Sequence, residues 1–449
     1  MNDSTTAAVE QAAGRSAAVL PAPQGGASPA APGAAPPAPG LVDLADPGWL
    51  RHPREMARQL HARGRVHRGS RGLWLLTGHA ECRAVMQSAH LSRDPRRASS
   101  WAATRPFGAG SALEQAAERF MLFNDPPVHA RLRRVVSAAF TPAAVRGLRA
   151  SIASACDQLL GSLPDDQPFD FMRSFAQTLP VRVICDLLGL DSGDLEQAKA
   201  WSDAIACVVE PLASRAERAA AAQAVEALCA RLREQVAHRR ASPGGTVLDL
   251  MIQAQAQAQV QDGRPGLDDD ELLANLVLLF IAGHETTTNL LGNGLLALLE
   301  HPAQMARLRA DLALLPGAVE EMLRWESPVN MVARITLGDW SLGGQELPAG
   351  EVLYCMVGAA HQDPSVFDEP ERFDIARRHN PQLAFGGGVH YCVGAPLARL
   401  EAEVAFAAVL RRWPALRGLD PAPRWRAAIN VRGLQSLRVE PLGKGAAGT

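Results

Sequence analysis

The run Phe385-Gly386-Gly387-Gly388-Val389-His390-Tyr391-Cys392-Val393-Gly394 constrains this 449-residue chain more than any other. It places one cysteine in a glycine-rich loop directly ahead of a helix-compatible stretch from about Ala395 to Leu410. Glycines at 386, 387, 388 and 394 remove side chains that would keep the backbone away from a bulky flat partner. Amide N–H groups of the loop and of the following helix start can donate to the Cys392 sulfur and stabilise its negative charge. Such a loop suits a thiolate held beside a haem iron. A glycine-rich loop alone could also be a phosphate cradle or a plain turn, but no Lys-Ser or Lys-Thr follows and no second spaced glycine fingerprint is present.

The same ten residues resemble the haem-binding signature of the cytochrome P-450 family, in which a cysteine thiolate pushes electron density onto iron and favours O–O cleavage. The resemblance implies that Cys392 is the metal ligand of haem b, iron protoporphyrin IX. A second stretch, Ala282-Gly283-His284-Glu285-Thr286-Thr287, lies inside the longest apolar tract, Leu272 to Leu299. Glycine there costs about 1 kcal/mol relative to alanine, and a buried carboxylate needs partners or a shifted pKa. Conflicts of this kind mark functional sites, although alone the stretch could be a kinked structural helix with an incidental acid. It resembles the family's oxygen-binding motif, which implies that Glu285 and Thr286 are catalytic and relay protons. The Thr286 hydroxyl can bond the carbonyl one turn back. His284 can face away from the haem and is assigned no role.

Glu321 and Arg324, three apart on a helix that ends before Pro328, share a face. They resemble the family's Glu-x-x-Arg element, and Arg372 matches the third member of its structural ion-pair network. Asp125-Pro126-Pro127 reads as a helix start with Asp125 as cap, and His129 and Arg133 follow on one face. This run resembles the segment that binds the haem propionates, with Arg334 and His390 at the remaining propionate positions. Singly, each of these is an ordinary surface charge. Two departures from the family pattern are visible: His361-Gln362 stands where many relatives carry Asn-Arg, and Trp325 stands where tyrosine is common.

The fold class expected is mainly α with small β-sheets (α+β): a large helical domain plus a smaller β-rich region around a buried haem. Apolar residues recur at helical spacing in Val145 to Leu160, Val181 to Leu188, Ala216 to Val236 and Val404 to Leu410. The alternating Gln253 to Gln261 run is read as a helix end, followed by a break over Asp262 to Gly266. Strand signals are confined to Gly72 to Leu76 and Ile335 to Tyr354. Residues 1–40, rich in Ala, Pro and Gly, read as a disordered tail, and residues 41–449 as one catalytic domain. Seven cysteines without CxxC pairing support neither a zinc ribbon nor a disulfide framework and fit a reducing cytoplasm. A net charge of −2 argues against nucleic acid. The polar residues 284–289 exclude a membrane span, and the first residues lack the pattern of a secretory signal.

The resemblance implies a cytoplasmic, monomeric monooxygenase that hydroxylates or epoxidises a hydrophobic small molecule, free or carrier-bound, in secondary-metabolite biosynthesis. The chain shows no flavin or iron–sulfur module, so electrons are expected from NAD(P)H through a ferredoxin and its reductase. Arg131, Arg134, Arg411 and Arg412 are candidate docking contacts for that donor. Ala282, Val329, Met331 and Ile429 are expected at the substrate pocket. Two other readings stand beside this one: a peroxide-using haem-thiolate enzyme, against which the acid–threonine pair argues, and a non-catalytic haem-binding scaffold.

Overall fold

The computed structural model describes residues 40–190, 195–261 and 267–442. The tail expected over residues 1–40 therefore lies outside the described residues except for Gly40, as does the break expected at Asp262 to Gly266. The centre of the domain is the helix Asp269–Glu300. It opens on a capping box: Asp268 accepts from the Glu271 N–H at 2.7 Å, and the Glu271 carboxylate accepts from the Asp268 N–H at 3.2 Å. Beyond this cap residues 272–281 and 290–298 are buried on every side and apolar except for Asn275 and Asn293, a pattern that suits a core position. Thr178–Leu188, Arg215–Ala241, Leu315–Trp325 and Ala395–Arg412 pack around it. The Gln-rich run belongs to the helix Val247–Gln261. The pattern from Val145 to Leu160 is split into Pro142–Gly147 and Arg149–Gly161, with Leu148 between them.

The main sheet has five strands in the order Val66–Arg68, Trp74–Leu76, Val352–Met356, Met331–Thr336 and Leu91–Ser92. Trp74–Leu76 and Val352–Met356 pair in parallel, and the other neighbours are antiparallel. A hairpin, Trp340–Leu342 with Gln345–Leu347, turns at Gly343-Gly344. Phe169–Asp170, Arg438–Pro441 and Leu416–Gly418 make a third, smaller sheet. Among the described residues, no helix is long and apolar enough to cross a membrane.

One helix start differs from expectation. The helix Val128–Ala139 follows Pro127 without a side-chain cap. Asp125 instead accepts from the Ser92 hydroxyl and, at 2.8 Å, from the Arg93 N–H. Two prolines separate its carboxylate from the helix amides, so it anchors the neighbouring strand.

Candidate active site

The Cys392 loop is closed by its own backbone, with the Cys392 N–H donating to the Phe385 carbonyl at 2.9 Å. Gly386 and Gly388 take positive φ, +71° and +66°, and a Cβ at Gly388 would lie 2.8 Å from the Met86 carbonyl oxygen. The glycines therefore let the loop press against the end of His79–Gln87. Burial pushes the Cys392 thiol up, while the N–H groups of Gly394 and Ala395 and the charges of Arg133 and Arg399 pull it down. Both arginines also brace the loop. Arg133 donates to the Tyr391 carbonyl at 2.6 Å. Arg399 forks onto Glu320 at 2.6 and 3.1 Å and lies 4.4 Å over the Phe385 ring.

Beside the loop, two neutral histidines and a group of arginines gather. The His129 and His390 rings are 4.1 Å apart between centroids. Arg334, 2% exposed, donates to the carbonyls of Ala333 at 2.9 Å and Met86 at 3.2 Å. Arg93, which the sequence reading missed, donates to the same Ala333 carbonyl at 2.8 Å. Burial and then the Arg334 charge push Arg93 down to about 9. Burial, aided by Arg133, lowers His129 to about 4, and burial with His129 and the three arginines lowers His390 further. Asp125 is the carboxylate that faces this group. A buried cationic cluster so short of negative charge fits a ligand with two carboxylates, as haem has.

On the central helix every residue from Leu272 to Leu298 is buried except Ala282, Gly283 and Thr286. Thr286 donates to the Ala282 carbonyl at 2.8 Å and Thr287 to that of Gly283 at 3.1 Å. Next to this opening Glu285 is buried, which raises its pKa, and its Oε1 accepts from Arg426, a second residue that the sequence reading missed. His284 faces away, with Nδ1 2.5 Å from the Ser202 hydroxyl, and burial lowers it to about 3. Val329 is half-buried. Met331 and Ile429, expected at the pocket, instead pack with Trp49, Leu60, Leu75 and Met356 at 2% and 9% exposure. Strand alternation turns the Met331 side chain into that cluster.

The Glu321 carboxylate accepts from Arg324 Nε and Nη2, both at 2.7 Å, with both side chains fully buried. The third member of the network is Arg377, a second guanidinium on this carboxylate at 3.1 and 3.3 Å, and not Arg372. The Arg372 side chain points outward to Glu369 at 2.9 Å, while its carbonyl accepts from Arg324 and Arg377 at 3.1 and 2.8 Å. The turn at Asp374, closed by the Arg377 N–H at 3.0 Å, brings the later arginine inward.

His361 completes this network. Its Nδ1 lies 3.1 Å from the Arg324 carbonyl and its Nε2 accepts from the Leu383 N–H at 2.7 Å, which fixes a neutral ring. Burial lowers it to about 3. The unfolded chain takes up this proton first, so stability is lost as pH falls from about 6.5 towards 3. His361→Asn, which can make both bonds without titrating, should flatten the pH dependence of unfolding by up to about 1.4 kcal/mol per pH unit. Denaturant melts near neutral pH and in mild acid check this, and equal slopes for both proteins would refute it.

Of the arginines expected to dock a donor, Arg131 is forked onto Glu271 at 2.5 and 2.6 Å and Arg412 is paired with Asp165 at 2.5 Å. Their charge is largely answered within the chain. Arg134 and Arg411 are exposed.

The model of the family Cytochrome P-450 matches residues 97–416. The cytochrome P-450 monooxygenase PikC of Streptomyces venezuelae is 37% identical over 414 residues, 89% of this chain and 94% of that protein. The 6-deoxyerythronolide B hydroxylase of Saccharopolyspora erythraea is 36% identical over 372 residues, 82% of this chain and 89% of its own length. The structure of the tirandamycin C-bound P-450 monooxygenase TamI superposes with a TM-score of 0.78 at 37% identity, covering 89% of this chain and 100% of the other. P-450 BioI, solved with an acyl carrier protein ligated to hexadec-9Z-enoic acid, gives 0.80 at 32% identity over 87% of this chain and 99% of the other. The chain therefore belongs to the cytochrome P-450 family, whose cofactor is haem, and is a monooxygenase of the oxidoreductase class.

Proposed function

We propose that this monooxygenase inserts one oxygen atom into a hydrophobic polyketide-type metabolite in the cytoplasm, by hydroxylation or epoxidation, with electrons from NAD(P)H delivered by a ferredoxin and its reductase. The observation that carries the reading is the opening at Ala282, Gly283 and Thr286 on an otherwise buried helix, with a buried acid beside it. PikC, 6-deoxyerythronolide B hydroxylase and TamI support the substrate class by likeness. Haem, when bound, supplies dioxygen activation and the two-electron chemistry. Cys392 would hold its iron, and His129, Arg133, Arg334, His390 and Arg93 would hold its propionates. Glu285 takes a proton from the solvent side and passes it to the Thr286 hydroxyl, which donates it at the reacting oxygen. Ala282 and Val329 offer apolar surface to the substrate and exclude water from it.

Thr286→Ala tests the relay. The variant should keep its haem and consume reductant, while product per reductant falls roughly tenfold and hydrogen peroxide rises to match. Undiminished product yield would sink the assignment. Substrate class is tested by the ferric Soret band during titration with macrolactones and other hydrophobic polyketides: a blue shift with this class supports the reading, and none across the panel counts against a free substrate. The likeness to BioI favours a second reading, oxidation of a carrier-bound acyl chain. A shift seen only with carrier-linked thioesters would select it.

A further inference from the structure

A polar cavity of about 350 Å³ lies between the start of the helix Pro53–Arg63, the last turns of the central helix, and Trp425 with Arg432. None of its lining residues belongs to the haem or oxygen site. Several of its charges answer one another. Glu326 accepts from Arg432 Nε at 2.5 Å and from Arg54 Nη2 at 3.1 Å, and Glu55 accepts from Arg58. Arg54 lies 3.9 Å from the centre of the Trp325 ring and Arg432 3.8 Å from that of Trp425. Trp325, one of the two departures from the family pattern, thus braces a guanidinium at this cavity.

The groups left unanswered are of both kinds. The side chains of Arg51 and Glu300, both exposed, make no hydrogen bond or ion pair among the described residues. Arg54 Nε is buried without a partner. The helix Pro53–Arg63 starts on proline without a side-chain cap, so the N–H groups of its first turn are open as well. On the opposite wall Asn293, 2% exposed, donates from Nδ2 to the carbonyls of Arg432 at 3.0 Å and Glu326 at 3.4 Å. Those bonds fix which way the amide faces and leave Oδ1 buried without a partner. Asn293 and Glu300 stand two turns apart on one face of the central helix, about 10 Å along its axis, with Leu296 and Ala297 offering apolar surface between them.

The geometry points to a binding site in this cavity for a zwitterion, a free amino acid or a dipeptide. Its carboxylate is the group that Arg51, Arg54 Nε and the open helix N–H groups take together. Its ammonium pairs with Glu300, and Asn293 Oδ1 accepts a further N–H. A simple anion would leave Glu300 and Asn293 Oδ1 unanswered, and a simple cation would leave Arg51 and Arg54 so. An apolar molecule satisfies neither side. The distance between the two acceptors exceeds the roughly 3.6 Å that one residue spans, which favours the dipeptide.

Calorimetric titration of the haem-loaded protein decides. L-leucine and leucyl-glycine should both bind, the dipeptide more tightly. Leucinamide lacks the carboxylate and 4-methylpentanoate the ammonium, and each should bind at least roughly tenfold more weakly than leucine, the loss expected when a charge-assisted bond goes unmade. R51Q and E300Q change exposed side chains, so the unfolding midpoint should stay while each weakens both zwitterions roughly tenfold. The Soret band separates this cavity from the haem, because an amine that reaches the iron moves the band to the red; here it should not move. No binding of either zwitterion, equal affinity for leucine and its singly charged analogues, unchanged affinity in R51Q and E300Q, or a red-shifted Soret band would each overturn the proposal. Leucine binding more tightly than leucyl-glycine would support the site and assign it to the free amino acid.

Discussion

Glu321→Ala protein takes up no haem. The substitution removes the single carboxylate between two guanidiniums, Arg324 with 0% and Arg377 with 9% side-chain exposure. It also strips the acceptor from the Asp374 N–H at 2.9 Å and from Asn380 Nδ2 at 3.2 Å. Breaking a buried pair by deleting one partner costs about 3–5 kcal/mol, a large share of the roughly 5–15 kcal/mol that holds a domain together. The damage is local as well as global, because Glu321 ties the helix Leu315–Trp325 to residues 374–380, and that segment leads into the Cys392 loop. Arg324→Ala should have the same result by the complementary route, since Arg324 also donates to the carbonyls of His361, Pro370 and Arg372. Arg372→Ala is the control: its guanidinium is at the surface and its carbonyl survives the substitution, so haem content should be unchanged. The haem-to-protein ratio of each purified variant decides, and normal content in Glu321→Ala or Arg324→Ala would refute the network.

That contrast shows where the sequence was readable. The central helix was legible because its signals are local: acids at the cap, then unbroken apolar residues, then small and polar residues out of place at 282 to 288. The Cys392 loop was legible for the same reason, since four glycines around one cysteine answer a steric need within ten residues. Arg377 and Arg372 have no such local signal. They stand five apart in an irregular segment, and only the turn at Asp374 decides which one reaches Glu321. Arg93 and Arg426 carry no local signal, because the groups they bond, on Ala333 and Glu285, lie 240 and 141 residues away. Met331 shows another limit: on a strand, one residue of uncertainty in register moves a side chain to the opposite face. The strands Leu91–Ser92 and Phe169–Asp170 are too short to show any alternation.

Cys392→Ser should abolish turnover while leaving a folded protein. Serine is close to cysteine in size and keeps the N–H bond to Phe385, so the loop that Gly386 and Gly388 shape can still close. What changes is the charge that the loop can hold. The N–H groups of Gly394 and Ala395, with Arg133 and Arg399 behind them, favour an anion at this atom against the burial that opposes it. Burial is the larger influence and holds the thiol above its ordinary range, so the charge of the iron, when bound, would complete its ionisation; an alcohol, far weaker as an acid, starts much farther from that point. The surrounding positive charge is then left facing an uncharged oxygen that cannot push electron density onto iron. The ferrous–carbon monoxide band that marks thiolate ligation should be absent from Cys392→Ser, while its unfolding midpoint without haem stays near that of the wild type. Gly388→Ala separates loop shape from charge, because its Cβ would collide with the Met86 carbonyl and leave the thiol intact. It should lower haem content, yet whatever haem it retains should keep the thiolate band. A thiolate-type band in Cys392→Ser would mean that another cysteine holds the iron, and the site would have to be rebuilt around that residue.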